Sequence, residues 1–181
     1  MFIQEDLRNK NIAEYLLYMW QVEDMIRAAG LDSDRLYEVV IKESGRSEED
    51  CLKWKQWYDD LIEMMRSEGK TEKGHLQINE NVLILLSDLH SRLLESHKQP
   101  EYRDLYYKAL PFIVEFRAKN GTEDNEELRD CFNLLYGVLM LKLQGKPVSG
   151  ATAQAVQTVS AFLGKLAVLY REDKAGTLDL D

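Results

Sequence analysis

Three histidines are the first residues here whose chemistry could be put to use, because neutral imidazole is a common metal ligand and general base. His90 and His97 stand seven residues apart in one helical pattern, which separates them by roughly 10 Å along a helix axis. Side chains that far apart do not share one ion at ligand distances near ~2.1 Å. His75 lies ahead of that helix, in a loop. No HExxH occurs, and the only ExxH, Glu72 to His75, is interrupted by Gly74. Di-iron carboxylate bundles need two such pairs and two further glutamates. No metal and no cofactor is therefore expected, and a chelator is expected to leave the melting transition unchanged. His90 reads as partly buried and hydrogen-bonded to a neighbour.

Carboxylate pairs come next. Glu123 with Glu126 and Glu127 with Asp130 have the ExxE and ExxD spacing by which helical nucleotide pyrophosphohydrolases hold magnesium. Those enzymes place the pairs on separate helices, whereas these overlap in one helix start, where acidic groups complement the positive end of the helix dipole. GxGxxG, P-loop and GxSxG patterns are absent, leaving no motif for a phosphate cradle or a serine nucleophile elbow. Gly74-His75 opens a helix, whose free amides could hold an anion or only water. In LKWKQWYDDL, Trp54 and Tyr58 fall on the core spacing, while Trp57 is left over for an interface.

The richest polar set lies on the first long helical pattern. Asn11, Glu14, Tyr18 and Gln21 recur at three- and four-residue spacing and share one side. Leu17, Met19 and Trp20 keep the other sides apolar. The set is either an exposed stripe, or a polar pocket of Glu14, Tyr18, Gln21 and His90 in which Glu14 and Gln21 face protein. Buried carboxylates need partners or a shifted pKa, as functional sites also do.

The elements that must position these residues are helices. Apolar residues recur at helical spacing and glycines punctuate the gaps. Predicted helices run from about Asn9 to Ala29, from an Asp32/Ser33 cap to Gly45 (burying Leu36, Val39 and Val40), and from Ser47 to Gly69. Others run from Leu76 to Ser96, from Pro100 to Asn120 with a kink or a restart between Tyr107 and Pro111, from the acidic Thr122–Glu127 cap to near Gly145, and from Ser149 onward. GKTEKG at 69–74 is the clearest loop. No alternating β-branched run suggests a strand. The fold class expected is all-α: a single-domain bundle of about six to seven helices, mostly up-and-down, spanning 1–171, with a frayed tail at 172–181. The first, fourth and sixth predicted helices are candidates for its centre.

NIAEYLLYMWQVED (11–24), GHLQINEN (74–81) and CFNLLYGVLMLKL (131–143) resemble an uncharacterised, all-helical bacterial domain-of-unknown-function family found mainly in the Bacteroidetes. The resemblance covers nearly the whole chain. It implies an intracellular helical protein and brings no activity, cofactor or catalytic residue.

With 32 acidic against 23 basic residues and a net charge of −9, the surface repels polyanions, so nucleic acid is not an expected partner. The start of the chain lacks a basic segment followed by an apolar run, and the longest charge-free stretch, 147–164, is rich in Ser, Thr, Gln and Gly. A membrane partner is not expected, and the expected compartment is the cytoplasm. On the last predicted helix, Ala153, Ala161, Gly164 and Val168 form a small-sided second face. It would pack on another helix of the same chain or on a second copy in a two-fold homodimer. Two function classes follow: a non-enzymatic helical interaction or small-ligand-binding domain, and a small hydrolase or metal-dependent enzyme with an unrecognised site.

Overall fold

The computed structural model describes residues 3–45, 47–121 and 126–181. Among these residues there is no strand. Eight α-helices occur: α1 (Ile3–Lys10), α2 (Ile12–Ala28), α3 (Ser33–Leu36), α4 (Glu48–Ser67), α5 (Gln77–Glu95), α6 (Pro100–Asn120), α7 (Glu127–Leu143) and α8 (Gly150–Lys174). They divide into two compact units, Met1–Leu17 with Val82–Asp181, and Tyr18–Asn81. We call the first the large unit and the second the small unit. α2 and α5 each contribute residues to both.

The extra helix has a local cause. The predicted first helix is interrupted at Asn11, whose Oδ1 accepts from the amides of Ala13 (3.1 Å) and Glu14 (3.2 Å). A short polar side chain thus caps α2 and divides it from α1. Asp32 caps α3 in the same way, accepting from Asp34 and Arg35. From Tyr37 to Ile41 the chain then winds as a π turn, followed by a 3-10 turn over Lys42–Ser44. The wider turn places Ile41, five residues after Leu36, back in the core. Val39, expected inside, is 70% exposed, and Val40 is half-buried. The α-helical period does not hold through this segment.

α6 runs through Pro111 as one helix, which removes the restart, one of the two outcomes expected there. The proline removes one bond to the Tyr107 carbonyl, but Pro111 and Tyr107 are both exposed, so water replaces the lost donor. In the large unit α8 packs most extensively on α6, and then on α7. α7 is less central than its composition suggests: Cys131, Phe132, Leu134 and Val138 are buried, while Leu143 is exposed. The tail does not simply fray. Asp179 pairs with Lys98 at 2.7 Å, and Asp181 accepts from the Ser96 hydroxyl at 3.4 Å and from the His97 amide.

Candidate functional site

In the small unit the apolar stripe of α2 carries one carboxylate. Glu23 falls between Met19 and Ile26 on that stripe and is fully buried. Its Oε1 accepts from the Leu76 amide (2.9 Å) and from Asn79 Nδ2 (2.6 Å), and its Oε2 accepts from His75 Nδ1 at 2.6 Å. The His75 ring stacks on Trp20, with centroids 4.1 Å apart and planes 12° from parallel. Glu68 accepts from the next amide, Gln77, at 2.7 Å. The start of α5, read as a place for an external anion, is thus served by two carboxylates of the chain itself. Arg27 holds the 69–74 loop through the carbonyls of Lys70 and Gly74.

In the large unit His90 is the buried group. Its Nδ1 lies 2.6 Å from the Tyr102 hydroxyl, and its ring meets those of Tyr102, Tyr106 and Phe162 at 5.8, 5.1 and 5.7 Å. Nε2 is 3.8 Å from Glu127 Oε2, which also accepts from the Tyr106 hydroxyl at 2.9 Å. Burial lowers the His90 pKa below its ordinary 6.5, and the nearby Glu127 carboxylate only partly opposes it. Burial also pushes Tyr106 up to about 12, and Tyr102 and Cys131 upward. The Tyr102 phenol therefore stays protonated beside His90 Nδ1, while Nε2 of the ring faces Glu127. Neither the phenols nor the buried thiol is poised as a nucleophile near neutral pH.

The four residues of the sequence-derived pocket are placed as follows. His90 is buried in the large unit. Tyr18 and Gln21 are half-buried in the small one. Glu14 is exposed and accepts from Asn11 Nδ2 at 2.9 Å, so the expectation that it faces protein is corrected: the carboxylate taken inside on this helix is Glu23, nine residues on. The carboxylates with ExxE and ExxD spacing also part company. Glu123 lies outside the described residues, Glu126 pairs with Arg129 (2.7 Å), Glu127 serves Tyr106, and buried Asp130 accepts from Arg117 Nε at 2.9 Å. Among the described residues, no group of three or more His, Cys, Asp or Glu is placed to hold one metal ion.

The large unit carries a surface groove of about 330 Å³ between α6, α7 and α8, with apolar lining from Phe112, Phe116, Leu134 and Ala155 and polar lining from Glu115, Lys119, Ser149, Thr152 and Gln154. On α8, Ala153, Ala161 and Val168 are exposed and Gly164 is half-buried, so this face of the helix is largely open among the described residues of the large unit.

The profile of a family described as a domain of unknown function, DUF4924, matches residues 1–177. The chain belongs to that family. No curated protein and no solved structure matches it. Membership brings no activity to these residues, so the chemistry has to be read from the two units themselves. Among the described residues no helix is long and apolar enough to cross a membrane. Glu23, not singled out above, carries one local signal, a carboxylate on an apolar stripe, but its donors come from the loop end and first turn of α5 some fifty residues away, which no local spacing reveals.

Proposed function

We propose that this chain is a non-enzymatic helical binding domain whose ligand, a small and mostly apolar molecule with a polar end, seats between α6, α7 and α8. The observation that carries this reading is the groove itself. Its volume of about 330 Å³ falls within the ~300–1,000 Å³ of small-molecule sites, and aromatic walls with a few polar groups are their usual lining. The buried polar groups support the same reading, since Glu23, His90 and Asp130 are each engaged by internal partners. The compartment that fits is a bacterial cytoplasm, as the resemblance to a Bacteroidetes family implies, and the two buried cysteines, neither in a disulfide, suit it. Self-association through the exposed α8 face belongs to this proposal, and a monomer by light scattering at high concentration ends that part.

A thermal-shift screen of small apolar amides and alcohols tests the reading, because a ligand bound only by the native state raises its melting temperature. Ala151 is exposed and lines the groove, so Ala151→Trp fills it at little cost to the core. Hits that stabilise the parent and lose their effect in Ala151→Trp support the proposal. Hits indifferent to the substitution, or hits that are turned over, overturn it.

A further inference from the structure

The large unit gathers positive charge in one place although the chain is acidic overall. Arg8 and Lys10 end α1, and Arg171 and Lys174 stand in the last turn of α8. These four line a groove of about 430 Å³ together with Tyr170 and Leu85, and no carboxylate is among the lining residues. One acidic neighbour is drawn elsewhere. Asp173 sits between Arg171 and Lys174 in sequence, yet it receives both guanidinium nitrogens of Arg92, at 3.1 and 3.0 Å. Asp6 neutralises one member of the set, Lys10, at 2.8 Å. Among the described residues the other three have no carboxylate partner. Arg8 lies 5.6 Å over the Tyr15 ring, Lys174 lies 5.9 Å over the Tyr170 ring, and Arg171 reaches the Lys10 carbonyl at 3.5 Å.

Cations in a last helical turn complement the helix dipole, which accounts for their type but not for the concavity or its apolar floor. Leu85 is 48% exposed, a bare aliphatic side chain set among positive charges. Such a surface is matched by a molecule with an anionic head and an apolar body. The head gains charge-assisted bonds from guanidinium groups, and the body covers Leu85.

The geometry points to a second binding site here, independent of the α6–α7–α8 groove, for a small amphipathic organic anion with its head between Arg8 and Arg171 and its body on Leu85. Titration calorimetry of the full chain with 4-phenylbutyrate, with 4-phenylbutylamine and with inorganic phosphate tests it. Binding of phenylbutyrate at least about tenfold tighter than the amine or phosphate, and weakened by added salt, is the expected result. Equal affinity for the amine and the carboxylate overturns the charge requirement. Equal affinity for phosphate overturns the amphipathic one. Arg171→Glu combined with Lys174→Glu should weaken phenylbutyrate by about tenfold or more, whereas Ala151→Trp in the other groove should leave it unchanged. Both charge reversals are at exposed positions, and the melt of the unliganded variant checks its fold. Arg8→Gln, from the opposite wall, provides a second measure, with a severalfold loss expected. Retention of full affinity in both charge variants sinks the proposal.

Discussion

Each unit of this protein sets a histidine against a glutamate, but the two pairs are buried in opposite senses. In the small unit the carboxylate is the hidden member: the Glu23 side chain is 0% exposed and His75 22%. In the large unit the imidazole is hidden: His90 is 9% exposed and Glu127 30%. The difference follows from how each group escapes the cost of burial. A buried carboxylate must collect donors, and Glu23 has three, drawn from the loop end and first turn of α5. A buried imidazole can shed its charge, so His90 needs one hydrogen-bond partner, Tyr102, and accepts a lowered pKa. The first arrangement organises a loop and a helix start. The second leaves a group that responds to pH.

The comparison breaks or sharpens first at Glu23. Glu23→Ala strands His75, Asn79 and the Leu76 amide together, and should cost roughly 3–5 kcal/mol in urea unfolding, the range for breaking a buried charged network. A cost below that of any substitution at His90 would reverse the ranking of the two sites.

His90→Phe keeps the aromatic packing but leaves the Tyr102 hydroxyl without its hydrogen-bond partner, at roughly 1–3 kcal/mol. It should also change the pH dependence. The folded protein holds His90 neutral below its ordinary 6.5, so the unfolded chain takes up the proton first on acidification. Stability is then unaffected by this group above about pH 6.5 and falls as pH drops from there through the lowered folded value. Melts of the parent and of His90→Phe between pH 7.5 and pH 5 on the order-of-magnitude scale of one ordinary histidine titration should converge toward the acid end. Parallel curves refute a neutral, buried His90.

The smallest effect is expected at Tyr106. Tyr106→Phe removes one hydrogen bond to the partly exposed Glu127, so about 1 kcal/mol or less should be lost, since water can replace the donor. A loss as large as that of His90→Phe would mean that Glu127 is as dependent on its partners as Glu23.

Much of the architecture was written in local pattern. The buried faces of α4 and α5, with Trp54, Tyr58, Leu61 and Met65 in one and Val82, Leu86, Leu89 and Leu93 in the other, follow from apolar residues at helical spacing. Ser47 and Ser149 cap the helices they precede, and the 69–74 loop lies between its glycines. These features need only neighbours within one or two turns, so the sequence by itself determined them. Tertiary structure decided which polar residues went inside. Glu14 and Glu23 sit on the same helix, and only the second meets His75, Leu76 and Asn79. Asp130 is buried because Arg117 of α6 is there to bond it, and the cations of α1 and α8 share a groove across some 160 residues of chain. The enthalpy that makes burial of a charge tolerable comes from partners distant in sequence, and a one-dimensional pattern carries no record of them.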